Sequence, residues 1–369
     1  MIKICHLASN HEGLDTRIVL KECVSLASAG YDTHLVITAS EADAAKAAAS
    51  GVTIHPLPQP SSRLARMFRH TWHCYRTASR VQAAVYHFHD PELIPYGMLF
   101  RLRGRHVIYD VHEDYPRDIL DKYWLPKWIR KPVAGAVSAL EYIGARWFFS
   151  VSAATPVIAQ RFRKITSKAV NINNYPRPSE LVPPETSVRR KFQICYVGNI
   201  TRLRGLRAIV DALPLVSQVT FILCGQFSEP GFEAELRSLP GWRQVRFLGK
   251  VDREQARQVM AESMAGVVTF LPVRSHLDAQ PNKLFEYMSA ELPVIASDFP
   301  LWRDIVAGTG SGVCIDPQSP AAIAAAIRLL HEDPGGAESM GKAGRKAVLN
   351  FYNWPIEAEK LVQLYQGLA

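Results

Sequence analysis

Phe192-Gln193-Ile194-Cys195-Tyr196-Val197-Gly198 opens the unit that decides the architecture: an apolar, β-rich run closing on a glycine, then the polar loop Asn199-Ile200-Thr201-Arg202-Leu203-Arg204-Gly205, then the helix-forming Leu206 to Leu213. A buried strand that passes into a helix through a glycine-bearing loop begins a βαβ unit, and such units build parallel sheets. The N-terminus follows the same plan. Ile2 to Leu7 is a short apolar run, a polar loop holds His11, Glu12 and Gly13, and Thr16 to Ala29 carries Ile18, Cys23, Leu26 and Ala27 at helical spacing. Asp15 is placed to cap that helix and Gly30 to end it. His34-Leu35-Val36-Ile37 supplies the next strand, and further strands are expected at Ala84 to Phe88, His106 to Tyr109 and Phe148 to Val151. In the second half they are expected at Thr220 to Leu223, Val245 to Leu248, Gly266 to Phe270 and Pro293 to Ala296. The fold class is therefore α/β, with two doubly wound lobes in tandem and ligands expected beyond the strand C-termini and in an interlobe cleft. Pro176-Arg177-Pro178 and Pro183-Pro184 punctuate a polar stretch that ends at Arg189-Arg190-Lys191. Residues 1–175, joined by a C-terminal helix 355–369, are expected to form one lobe, 176–191 the linker, and 192–354 the other lobe.

The chain has 369 residues, 48% of them hydrophobic and 21% charged, a globular composition that excludes disordered and fibrous classes. Lys and Arg number 43 against 34 Asp and Glu, a net charge of +9 that admits an acidic partner without choosing between nucleic acid, anionic membrane and phosphorylated small molecules. The charge-free stretch Ala212 to Ser228 is broken by proline, serine, glutamine and glycine, too polar to span a bilayer. The first residues run into a polar loop without the pattern of a secretory signal, so a cytoplasmic location is expected. Six cysteines without a C-x-x-C pair suggest reduced, mostly buried thiols.

Asp278 and Pro281-Asn282-Lys283-Leu284-Phe285-Glu286 open a helix. A lysine in the first turn runs against the helix dipole, a placement that suits a bound anion. Glu286 falls on the same face and can accept hydrogen bonds from hydroxyls of the same ligand. A capped helix with an exposed Lys-Glu pair is the alternative. The loop from Gly198 to Gly205 offers a glycine where backbone can approach phosphate and two arginines to neutralise it, with a solvated surface turn as the alternative. It lacks G-x-G-x-x-G and the P-loop signature, which counts against dinucleotide oxidoreductases and Walker-type ATPases. Tyr86-His87-Phe88-His89-Asp90 and Tyr109-Asp110-Val111-His112-Glu113-Asp114 each end a strand and are expected to face the cleft. Their spacings match no zinc signature, no third ligand is evident, and no Asp-x-Asp pair is present to hold a diphosphate through a divalent ion, so no metal is expected. Each histidine has a structural role open to it as well as a catalytic one. Gly308-Thr309-Gly310-Ser311-Gly312 leads into the strand-like Val313-Cys314-Ile315 and is read as a tight turn.

Gly13 with Asp15-x-Arg17, the His112 loop, Gly198 through Arg204-Gly205, Pro281 through Met288, Pro293-Val294-Ile295-Ala296-Ser297 and Trp354 together resemble the retaining glycosyltransferases of family four, over nearly the whole chain. That resemblance implies the GT-B fold of two Rossmann-like lobes. It implies a nucleotide-diphospho-sugar in the C-terminal lobe, its diphosphate met at the Gly198-Asn199 loop by Arg204 and Lys283 without metal or cofactor. Glu286 would hold ribose hydroxyls, Lys250 and Val251 would flank the base, and Asp278 would approach the sugar hydroxyls. The family's carboxylate at 278 is Glu, so Asp278 has a shorter reach. Asn199 stands where the family carries arginine, so Arg204 or Arg202 must supply more of the charge. Retention in the family is thought to use the leaving phosphate as base. His112 would line the donor sugar, and His11, Gly13, Asp15 and Glu113 would border the acceptor. The implied function is transfer from a UDP- or GDP-sugar to a glycan or lipid-linked acceptor in bacterial cell-surface polysaccharide or lipopolysaccharide synthesis, with no nucleic-acid partner. A sugar-nucleotide epimerase on the same fold and a non-catalytic two-lobed sugar-binding protein are the rivals.

Within residues 61–80, Arg63, Arg66, Arg69, Arg76 and Arg80 recur at helical spacing without an acid, and are expected opposite Leu64, Met67 and Phe68. Such a basic amphipathic helix would lie on anionic lipid, making the protein peripheral to the inner face of a membrane. A solvated outer helix is the alternative.

Overall fold

The computed structural model describes residues 1–121, 125–181 and 190–368. The chain divides into two compact units, Met1–Asn174 with Trp354–Ala369, and Tyr175–Asn353. Of the expected linker, residues 182–189 lie outside the described residues. Before them Leu181 is buried in the second unit, and so is Tyr175, expected as the last residue of the first lobe: its ring lies 4.7 Å from that of Phe285.

The first unit is built on seven strands, β1 (Lys3–Glu12), β2 (Asp32–Thr38), β3 (Val52–Leu57), β4 (Val85–Phe88), β5 (His106–Val111), β6 (Ser150–Ala153) and β7 (Ala169–Asn171). They pair in parallel in the order β3-β2-β1-β4-β5-β6-β7. β4 and β6 are buried along their whole length, as strands covered by helices on both faces must be. Because parallel crossovers are right-handed, reversal of strand order at β1 puts the helices after β1 and β2 on one face and those after β3, β4 and β5 on the other. On the first face the C-terminal helix Trp354–Gln366 packs Trp354, Leu361 and Tyr365 against Ile4, Leu26 and Ile108. The Trp354 indole donates to Ser25 Oγ at 2.9 Å, and Glu357 accepts from the Asn173 backbone at 2.9 Å. On the second face Cys74, Tyr75, Phe100 and Phe148 form the core.

Two local departures from expectation have physical causes. The helix expected from Thr16 starts as a wider π-turn, Ile18–Cys23, before the α-helix Val24–Ser28. Asp15 Oδ1 accepts from both Arg17 and Ile18 N–H at 2.9 Å, and Glu22 N–H reaches back five residues to Arg17 O. β6 begins two residues late because Phe148 caps the helix Lys127–Trp147 and turns into the core. In the segment after β3, Leu64, Met67 and Phe68 lie outside the core. They are exposed, and the helix Thr71–Val81 packs instead through Thr71, Cys74, Tyr75, Ala78 and Val81.

The second unit repeats the topology with β8 (Gln193–Val197), β9 (Thr220–Cys224), β10 (Val245–Gly249), β11 (Ala265–Val268), β12 (Val294–Ser297) and β13 (Gly312–Ile315). The order is β10-β9-β8-β11-β12-β13, again all parallel. Gly310, at φ 67°, ends the helix Pro300–Thr309 and turns the chain into β13. All six cysteines are free and five are buried. Among the described residues no helix is long and apolar enough to cross a membrane.

Candidate functional site

In the second unit every candidate residue sits in a loop or helix start that follows the C-terminal end of a strand, the edge at which doubly wound sheets take their ligands. At the end of β8 Gly198 has φ 137°, and a Cβ there would stand 2.2 Å from Lys283 Nζ. Glycine is what lets the lysine lie across the loop backbone. Lys283 enters from the helix Asn282–Ser289, whose start no side chain caps. That helix is fixed by its buried Leu284, Phe285, Tyr287 and Met288, and by the Tyr287 hydroxyl, which accepts from Val197 N–H at 3.1 Å.

The far end of the loop is held as tightly. Gly205, at φ 72°, faces Thr269 O so closely that a Cβ would lie 1.8 Å from it. The Arg204 guanidinium stacks 3.9 Å over the Phe270 ring. Burial and the Arg204 charge together lower Lys283 to about 8, against the opposing pull of Glu286. Two cations thus converge on one loop, with a carboxylate one helical turn away, an arrangement suited to an anion that carries hydroxyls beside it. Glu286 itself faces Arg253 Nη1 at 3.9 Å, and Arg253 Nη2 also meets Glu180 at 3.2 Å.

The remaining candidates of this unit differ in what they touch. Arg202 bridges Glu229 and Glu235 and stacks 4.7 Å over Phe232, so its charge is answered by two acids. Asn199 accepts from Ser228 Oγ with its side chain and from the Tyr196 hydroxyl, at 2.6 Å, with its backbone. Lys250 is exposed and Val251 half-buried after Gly249, whose carbonyl accepts from Gly225 N–H at 2.7 Å. Gly225 in turn abuts the Gly198 carbonyl, which joins this turn to the lysine loop. Asp278 follows the short helix Arg274–Leu277, in a loop anchored by the Trp302 indole donating to Ala279 O at 2.7 Å.

In the first unit His112 follows β5 with Nε2 2.7 Å from Asp110 Oδ2. Arg17 grips Asp110 with two hydrogen bonds, Nε to Oδ2 at 3.0 Å and Nη2 to Oδ1 at 2.8 Å, and His89 Nδ1 stands 3.1 Å from the same carboxylate. Burial works to raise Asp110, but the Arg17 and His112 neighbours hold it well below the usual carboxylate range. Behind it, His6 Nδ1 lies 3.0 Å from His89 Nε2, and the Tyr365 hydroxyl bridges His6 at 3.1 Å and His87 at 2.8 Å. His87, His89 and Asp110 are fully buried, so these residues do not line a ligand surface as expected. They form a polar core under His112. At the surface His112 is met by His11, the rings 5.1 Å apart. Burial opposes a charged His11, yet its 3.0 Å bond to Asp15 and the charge of Asp90 outweigh that and lift it to about 9. Gly13, at φ 61°, donates to Thr38 O at 2.8 Å, and Glu113 is exposed.

A third candidate ligand for the histidine clusters, which the sequence did not reveal, is present in space. Glu22, His87, His89 and Asp110 bring ligand atoms within 4.8 Å of one another, all buried. The Arg17 guanidinium lies 3.0 Å from Glu22 and against Asp110, supplying positive charge to both carboxylates. Burial first, and then the Asp110 charge, push Glu22 well above the usual carboxylate range. Asp15-x-Arg17 was the only local signal of this network. The partnership of Arg17 with Asp110 spans 93 residues and no spacing rule reveals it.

Both units of the chain resemble known proteins. Residues 180–347 match the model of the glycosyl transferases group 1 family, and residues 16–177 that of the glycosyl transferase 4-like domain. The D-rhamnosyltransferase WbpZ of Pseudomonas aeruginosa is 24% identical over 339 residues, 88% of this chain and 84% of the relative. A glycogen synthase of Mycobacterium tuberculosis is 24% identical over 178 residues, 47% of this chain; the match spans only 42% of that relative's length. Among solved structures, Anabaena HepE in complex with UDP and glucose superposes with a TM-score of 0.75 at 15% identity, over 100% of both chains. With both units matched in chain order, and with the paired parallel sheets of the GT-B fold, the chain belongs to the group 1 glycosyl transferases.

Proposed function

We propose that the protein transfers a sugar from a nucleotide-diphospho-sugar to a glycan or lipid-linked hydroxyl acceptor, with retention of anomeric configuration and without a divalent metal. The observation that carries this reading is Lys283 lying across Gly198 beside Arg204. Breaking the anomeric C–O bond builds positive charge on the sugar and negative charge on the diphosphate, so fixed cations at the leaving group act where charge develops. Lys283, Arg204 and the backbone of Gly198 and Asn199 take the diphosphate, Glu286 the ribose hydroxyls, Lys250 and Val251 the base edge, and Asp278 the sugar hydroxyls. Arg202, paired with two acids, contributes at most a long-range field. Retention assigns the leaving phosphate as the base that accepts the acceptor's proton. His112 is oriented by Asp110 and steadies the donor sugar, while His11, Gly13, Asp15 and Glu113 border the acceptor. A UDP- or GDP-sugar is the donor class, a reading supported by the UDP-bound structural neighbour. Bacterial cell-surface polysaccharide or lipopolysaccharide synthesis is the setting, supported by the match to a bacterial rhamnosyltransferase. The test is release of free nucleoside diphosphate, measured with donor alone, acceptor alone and both. Release that requires both, at a rate unchanged by EDTA, supports the reading. Conversion of the donor to its epimer without an acceptor, or a rate abolished by EDTA and restored by magnesium, contradicts it.

A further inference from the structure

The helices that follow β3, β4 and β5 share one face of the first sheet, and their outer side is unlike the rest of the chain. Segments 63–81, 94–105 and 127–147 are 52 of the 369 residues, yet among the described residues they hold twelve of the 22 exposed large hydrophobic side chains. Trp128 is 80% exposed, Leu64 69% and Phe68 67%. The same segments carry twelve Lys and Arg residues and one acid, Glu141. That acid is buried, bonded to Tyr109 at 3.1 Å and Arg161 at 2.8 Å, and adds no negative charge to the surface. This one layer thus carries more positive charge than the +9 net of the whole chain.

The three helices form a continuous surface. The Trp72 ring lies 6.3 Å from Tyr96, Arg103 sits 5.5 Å over Tyr75, and Arg101 Nε donates to Trp147 O at 3.2 Å. A contiguous apolar patch is rarely left to water on a soluble protein. Tryptophan rings favour the boundary between headgroups and acyl chains, and arginines can lay their stems on apolar surface while their heads reach phosphate.

We propose that this three-helix face docks on a bilayer containing anionic lipid, with the exposed aromatic and aliphatic groups at headgroup depth and the arginines on lipid phosphates. Charge complementarity selects the occupant. A second copy of the chain would press two strongly basic faces together. Duplex nucleic acid is met by phosphate-neutralising cations and does not call for this many bulky apolar groups between them. The inference does not rest on the transferase reading: the face is read from exposure and charge alone, and none of its residues belongs to the proposed donor or acceptor sites.

Vesicle flotation tests it, using phosphatidylcholine alone and phosphatidylcholine with about 30 mol% phosphatidylglycerol. The full chain should float with the anionic vesicles and not with the neutral ones. The triple variant Arg69→Glu, Arg76→Glu, Arg80→Glu should lower partitioning on the order of 10²-fold or more, as each surface cation contributes about a fivefold factor. Trp128→Ser, which changes no charge and lies on a different helix, should lower it several-fold. Circular dichroism and the thermal midpoint serve as the control for folding and should be equal in all variants. Absence of flotation, flotation unchanged by the triple variant or by Trp128→Ser, preferential binding to duplex RNA, or a solution dimer that Phe68→Asp dissolves would each overturn the proposal.

Discussion

Lys283 Nζ occupies the space that a side chain at position 198 would need: a Cβ on Gly198 would lie 2.2 Å from it. The glycine and the lysine come from different elements, the end of β8 and the first turn of a helix 85 residues later, and only the fold brings them together. Gly198→Ala should therefore displace a flexible lysine tip and leave the fold standing. The expected result is at least a tenfold loss of nucleoside diphosphate affinity, by calorimetry, with the thermal midpoint lowered by only a few degrees, since alanine at positive φ costs on the order of 1 kcal/mol. Gly205→Ala meets backbone instead, the Thr269 carbonyl at 1.8 Å, and should lower stability by clearly more than Gly198→Ala.

Donor affinity should fall at alkaline pH. Burial and Arg204 lower Lys283 to about 8, and a diphosphate binds its charged form. Below pH 8 the lysine is already protonated and affinity is flat. Above it a proton must be taken up on binding, and affinity drops about tenfold per pH unit. Calorimetry between pH 7 and 10 should show that slope in the wild type and its absence in Lys283→Gln.

Asp110 and His112 should separate stability from turnover. Asp110→Asn removes one of the two carboxylates that meet the buried Arg17 guanidinium and should cost about 1.5–3 kcal/mol in urea unfolding. His112→Ala removes a partly exposed ring and should cost under about 1 kcal/mol while lowering kcat. Equal destabilisation by both would mean that His112 is part of the structural core.

Stability should also depend on pH through His11. Its folded value of about 9 exceeds the ordinary 6.5, so its stabilisation is complete below pH 6.5 and is lost as pH rises to 9. Urea midpoints measured across that window should fall further in the wild type than in His11→Asn, in which the lowered Lys283 acts in the opposite sense above pH 8.

The legible parts of the molecule were those where one local pattern decides one local outcome. The apolar run into Gly198 and its echo at the N-terminus read directly as paired doubly wound sheets. β3 escaped notice because His55 and Pro56 interrupt its apolar alternation, a tolerance that an edge strand has and a central one lacks. The Arg17–Asp110 network could not be read at all, since a buried ion pair 93 residues apart leaves no periodic trace. Arg202 and Arg204 look equivalent in sequence. Only the positions of Glu229 and Glu235 around Arg202, and of Phe270 and Lys283 around Arg204, tell them apart.

The central claim, that Lys283 answers charge developing on a departing diphosphate while Glu286 holds groups whose charge does not change, is tested most directly by steady-state kinetics of folded Lys283→Ala and Glu286→Gln over a full range of donor concentration. The account predicts that Lys283→Ala lowers kcat and kcat/KM together, on the order of 10²- to 10³-fold, whereas Glu286→Gln mainly raises KM for the nucleotide sugar and leaves kcat close to wild type. Normal turnover by Lys283→Ala at saturating donor would contradict it.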